Sequence, residues 1–235
     1  MTFSKLFNWF SGRKDAAGAN VSSGVPKPFS VVISTPLFIE DETRVAVELL
    51  DAGLTRFHLR KPDWAVEDLR EWVRAFPTEY RKRLVVHAQP DLVCEFQLGG
   101  LHLRGGQRRN NNRLPAEIPV SNSCHSFSDL CACALNSAYA TIGPIFPSVS
   151  KQGYSPRRTP EEYAIIVAEW RACENACPLL ALGGLTAANI ASTRLMGFDG
   201  FAVVGSVWDA ADPVAAFRNL IAAWRAAPKA DNSRS

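Results

Sequence analysis

Four imidazoles and two glycine-bearing segments hold most of the chemistry that this 235-residue chain could perform. His125 follows Val120-Ser121-Asn122-Ser123-Cys124. Imidazole is the side chain type whose ordinary pKa lies nearest neutrality, so that position suits general acid/base work. His58, His87 and His102 also fall in or at the end of short apolar runs, although any of the four could be a hydrogen-bonded core residue. Arg60 lies two residues beyond His58, so both share one face of a strand. Facing inward, its guanidinium would meet an anionic substrate group; facing outward, it would snorkel between helices. Ala181-Leu182-Gly183-Gly184-Leu185 and Ala202-Val203-Val204-Gly205-Ser206 put glycines where backbone N–H groups can approach an anion and a following helix adds its positive end. Zinc would compete for the histidines, but their spacing matches no compact ligand motif. Cys124 also points to the face opposite His125, so no metal is expected.

These residues need strands to aim them. Strand-like runs occur at 29–34, 55–60, 84–87, 100–103, 118–124, 138–143, 178–182 and 200–204. Helical stretches at 41–51, 64–76, 128–135, 160–173, 186–196 and 213–224 separate most of them, while the segments after the third and fourth strands are short. Strands alternating with helices predict a single α/β (β/α)8 TIM barrel over 29–228, with its site at the carboxyl ends of the strands. The loops after the last two strands are the usual phosphate site of such barrels. An open doubly wound sheet is the alternative, disfavoured because no Gly-x-Gly-x-x-Gly follows the first strand. Residues 1–28 read as an extension and linker, with Phe3, Leu6, Phe7 and Phe10 at helical spacing; residues 229–235 read as a tail.

The totals exclude several classes. A net charge of +3 from 26 basic and 23 acidic residues is too balanced for nucleic acid as main partner. The cluster Arg104, Arg108, Arg109 and Arg113 lacks interleaved aromatics and reads as a solvated loop. No apolar run of about 18 residues could span a membrane. Six cysteines without a Cys-x-x-Cys pair or a secretory signal read as reduced thiols of a cytoplasmic protein.

In order along the chain, Phe57-His58-Leu59-Arg60, Leu84-Val85-Val86-His87, Gly100-Leu101-His102-Leu103, Ser123-Cys124-His125-Ser126, Ile142-Gly143-Pro144-Ile145-Phe146-Pro147 with Lys151, Ala181-Leu182-Gly183-Gly184 and Ala202-Val203-Val204 resemble the thiamine phosphate synthase/TenI family. The match covers about residues 29–225. It implies a phosphate-binding barrel with one of two activities. The synthase joins an aminopyrimidine diphosphate to a thiazole phosphate using Mg²⁺; the TenI-type tautomerase aromatises a thiazole phosphate carboxylate, with a histidine moving the proton. Where the synthase pattern carries Asn-Asp after the third strand and Asp after the fourth, this chain has His87-Ala88 and Gln107, poor ligands for a hard cation. The synthase's Gln and Glu-Lys around the strand-two Arg are His58 and Lys61-Pro62. The resemblance therefore implies a metal-independent tautomerase in thiamine biosynthesis, without a cofactor, and with a small phosphorylated thiazole as its partner. His125 would be catalytic; Gly183, Gly184, Gly205 and Ser206 would hold phosphate; Arg60 and Lys151 would meet the carboxylate; His58 and His87 would line the pocket. The alternatives are an Mg²⁺-dependent synthase or a non-catalytic thiazole phosphate-binding paralogue; homo-oligomerisation is left open.

Overall fold

The computed structural model describes residues 27–104, 115–133, 137–147, 156 and 158–228. Eight parallel strands close into a barrel in sequence order: β1 (Phe29–Ile33), β2 (Arg56–Leu59), β3 (Leu84–His87), β4 (Gly100–Leu103), β5 (Val120–Cys124), β6 (Tyr139–Ile142), β7 (Leu179–Leu182) and β8 (Gly200–Val203). The interleaved helices are α1 (Glu42–Asp51), α2 (Val66–Ala75), α3 (Pro90–Glu95), α4 (Phe127–Cys133), α5 (Pro160–Ala172), α6 (Ile190–Leu195), α7 (Gly205–Trp208) and α8 (Pro213–Ala226). A 3-10 turn at Thr78–Arg83 leads into β3.

Alternation along the strands separates two interiors. Val32, Phe57, Leu59, Leu84, Val86, Leu101, Val120, Cys124, Ala140, Ile142, Leu179, Ala181, Phe201 and Val203 face the helices and join the large outer core. Val31, Ile33, Leu180 and Ala202, with Tyr139, fill a smaller cluster inside the barrel. That inner space is lopsided. β1, β7 and β8 line it with aliphatic side chains, whereas the inward positions of β2 to β6 include Arg56, His58, His87, His102, Ser121, Ser123, Tyr139 and Thr141. No buried side-chain nitrogen or oxygen among the described residues lacks a hydrogen-bond partner, so this polar half is internally satisfied.

The expected barrel is present, and most strand bounds agree within two residues. The helix expected over 186–196 starts only at Ile190. Asn189 Oδ1 accepts from the Thr186 N–H at 2.8 Å and its Nδ2 donates to the Gly184 carbonyl at 2.9 Å, so a side-chain-braced turn replaces the first helical turn. After the third strand, Pro90 at the first position opens the short helix α3. At α5, Thr159 accepts from the Glu162 N–H while the Glu162 carboxylate accepts from the Thr159 N–H, a reciprocal cap. The expectations for residues 1–26 and the tail, and those for Gln107, Arg108, Arg109, Arg113 and Lys151, lie outside the described residues. Among the described residues, Cys94, Cys124, Cys131, Cys173 and Cys177 form no disulfide. No helix among the described residues is long and apolar enough to cross a membrane.

Candidate functional site

His125 is one residue past β5 and continues the inward parity of Ser121 and Ser123. Its backbone N–H donates to the Asp129 carboxylate at 2.8 Å, and Arg158 donates to its carbonyl at 2.8 Å, which fixes the backbone between α4 and the start of α5. Its ring Nδ1 lies 3.1 Å from the Gly143 carbonyl beyond β6. A carbonyl only accepts, so Nδ1 carries a proton, and in the neutral ring the lone pair sits on Nε2. The residue is exposed, and that basic nitrogen is open to a ligand at the carboxyl end of the barrel.

Deeper inside, His58, His87 and His102 come together from three adjacent strands. His58 Nδ1 is 3.1 Å from His87 Nε2, and the His87 and His102 rings are 4.4 Å apart. His58 Nε2 makes a short contact with the Tyr139 hydroxyl. His102 is held at both nitrogens, by Ser121 and Ser123 at 2.8 Å each. Burial pushes all three imidazoles below the ordinary histidine range, His102 to about 3, so the cluster is neutral. The adjacent His102 and His58 and the Arg60 guanidinium add to the shift for His87, and Arg60 does so for His102. Burial likewise raises the Tyr139 phenol to about 12.

Arg60 follows β2 at the parity of His58, and its guanidinium is near enough to His87 and His102 to act on them electrostatically. Its backbone is fixed by Ser34, whose Oγ accepts from the Arg60 N–H at 2.8 Å, while no hydrogen bond or ion pair among the described residues takes its guanidinium. Lys61 is different. It is fully buried, paired with Glu42 at 2.8 Å and donating to the Leu37 carbonyl at 2.6 Å, so it braces α1 against the β2 loop. Burial raises the Glu42 carboxyl despite Lys61 and the Trp72 indole N–H, which donates to it at 3.1 Å.

The two glycine segments sit side by side, because β7 pairs with β8. Gly183 and Gly184 have φ of 96° and 65°, and a Cβ on Gly184 would collide with the Phe146 and Pro147 carbonyls. The loop after β6 therefore packs tightly on the Gly-Gly turn, with Ile145 and Phe146 N–H donating to the Leu182 and Gly183 carbonyls at 2.9 and 3.2 Å. The N–H groups of Gly183, Gly184, Gly205 and Ser206 have no acceptor among the described residues.

Sequence reading misses Tyr139, Ser121 and Ser123, the hydroxyl partners of the imidazoles, and Thr141, which donates to Ser123. Their signal was available: polar residues at alternate positions of otherwise buried strands. The histidines match no compact ligand motif in sequence, yet the barrel brings three of them together. His58, His87 and His102 each offer one nitrogen within 4.8 Å of the others. Their separations in sequence follow from strand spacing around the barrel, so no compact motif could announce them.

A family model described as thiamine monophosphate synthase matches residues 30–207. The thiamine-phosphate synthase of Geobacillus kaustophilus is 27% identical over 195 residues, covering 78% of this chain and 85% of its own. That of Chlorobium limicola is 29% identical over 201 residues, covering 78% and 90%. Among solved structures, thiamine phosphate pyrophosphorylase from Bacteroides thetaiotaomicron is 26% identical, with a TM-score of 0.68 over 82% of this chain and 95% of that one. The pyrophosphorylase from Pyrococcus furiosus, 19% identical with a TM-score of 0.66, covers 83% and 94% and shares the fold.

Proposed function

The chain belongs to the thiamine monophosphate synthase family, and from that premise we propose that it is a thiazole tautomerase acting on a thiazole phosphate carboxylate without Mg²⁺. The observation that carries the reading is His125, with Nδ1 committed to the Gly143 carbonyl and Nε2 left basic at the barrel mouth. Nε2 takes a proton from the non-aromatic ring, and the imidazolium returns it to a second ring or exocyclic atom. One proton leaves and one arrives, two double bonds shift, and the ring becomes aromatic; no oxidant or leaving group is involved. The N–H groups of Gly183, Gly184, Gly205 and Ser206 hold the phosphate, and Arg60, joined by Lys151, meets the carboxylate. His58 and His87 line the pocket.

Magnesium chemistry is poorly served by the described barrel wall, whose inward strand positions carry no carboxylate. No Asp or Glu occurs between Glu95 and Glu117 either, which spans all but the last residues of the segment joining β4 to β5. The second reading, an Mg²⁺-dependent synthase, is favoured by the names of the curated relatives. An ultraviolet assay for thiazole aromatisation, run with and without Mg²⁺, separates the two. Aromatisation that needs no Mg²⁺ and disappears in His125→Asn, with thiazole phosphate binding kept, supports the tautomerase. Turnover unchanged in that variant overturns it. Pyrophosphate release from the two synthase substrates only with Mg²⁺ replaces it with the synthase, and tight binding without turnover replaces it with a non-catalytic binder.

A further inference from the structure

We propose that His58, His87 and His102 form a binding site for a zinc-class divalent metal ion inside the barrel mouth. The inference stands on geometry alone and does not rest on the tautomerase reading. Three nitrogens around a tetrahedral ion at about 2.0–2.1 Å lie about 3.3 Å from one another. The His58 Nδ1 to His87 Nε2 separation of 3.1 Å is already near that edge, and all three donors fall within 4.8 Å. The remaining adjustment belongs to His102.

The outer partners suit such a site. Metal-bound imidazoles donate their second N–H to an oxygen that fixes the ring. Tyr139 meets His58 Nε2, which leaves Nδ1 toward the ion. On His102, Ser121 can keep Nδ1 while Nε2 turns from Ser123 to the metal. Ser123 then retains Thr141 Oγ1, 3.5 Å away, as a partner. His87 is the least buried of the three and closes the site at the mouth.

Ligand chemistry selects the ion. Three imidazoles without a carboxylate favour zinc, cobalt or copper over magnesium or calcium. Three protein ligands leave a fourth position open to water or a substrate oxygen. The Arg60 guanidinium acts electrostatically on His87 and His102, so an anion at the fourth position would offset the repulsion between cations.

The test uses the full chain stripped with chelator and titrated with Zn²⁺ or Co²⁺ alone, then with inorganic phosphate added. The expected result is one tight equivalent, strengthened by phosphate, that a large excess of Mg²⁺ does not displace. X-ray absorption at the zinc edge should show nitrogen or oxygen neighbours at about 2.0–2.1 Å and no sulfur at about 2.3 Å. That readout needs no variant and separates this site from the exposed thiols Cys94 and Cys131. His87→Gln should abolish the tight phase, Tyr139→Phe should weaken it about 10- to 100-fold, and Cys94→Ser with Cys131→Ser should leave it intact. No stoichiometric binding, sulfur in the zinc shell, or an unchanged tight phase in a folded His87→Gln protein would overturn the proposal.

Discussion

At the scale of single residues, the buried polar groups have measurable consequences. His58, His87 and His102 resist protonation when folded, whereas the unfolded chain takes up protons at ordinary histidine values near 6.5. Below that value the unfolded state binds more protons, so stability must fall as pH drops from about 6.5 toward about 3 and be fully present above. Urea midpoints of the metal-free protein across that range check the sign; a flat profile would contradict a neutral buried cluster. The Glu42–Lys61 pair is asymmetric for the same reason. Glu42→Ala strands a buried ammonium and should cost about 3–5 kcal/mol. Lys61→Met should cost less, and less still at low pH, because the Glu42 carboxyl, already raised by burial, can take a proton. Equal losses in chemical denaturation, independent of pH, would show that account to be wrong. The strand positions of His58, His87 and His102 were legible in the sequence. Their partners were not, because parity tells which face Ser121 or Tyr139 occupies but not which imidazole the register brings opposite.

At the scale of elements, strands read more truly than helices and loops. A buried parallel strand announces itself as a short apolar run, and the runs around Leu84–His87 and Gly100–Leu103 were exact in both bounds. Helix starts depended on side chains that compete with the backbone, as Asn189 does before α6. The Gly-Gly turn after β7 reads in the sequence as a place where backbone N–H groups can approach an anion, whereas its packing against the loop after β6 was not legible there. Gly184→Ala tests both aspects at once. It places a Cβ at a φ of 65° against two carbonyls, and should lower stability by more than about 1 kcal/mol while weakening thiazole phosphate binding. Calorimetry and a binding titration on the same sample read the two losses; full retention of both would remove the turn from the site.

At the scale of the whole molecule, the division of the barrel interior keeps chemistry on one side and adhesion on the other. Val31, Ile33, Leu180 and Ala202 pack where β8 meets β1, and the titratable groups stand across from them. Outside, α8 covers α1, α6 and α7 with Phe217, Leu220 and Trp224 buried. Each such side chain is worth about 1.5–3 kcal/mol, a large share of a total near 5–15 kcal/mol. A chain ending at residue 212 should therefore show no cooperative melting transition, whereas one beginning at residue 27 should melt like the full chain, as expected if 1–26 are an extension. Calorimetry of both decides.

The junction of β8 with β1 joins Phe29 to Gly200, where a Cβ would strike the Phe29 carbonyl. Because β1 pairs with β8, the first strand must wait during synthesis, its outer edge unpaired, until β8 has left the ribosome. Until then the barrel is an open curl with a bare strand edge, and the emergence of β8 is what lets the ring shut.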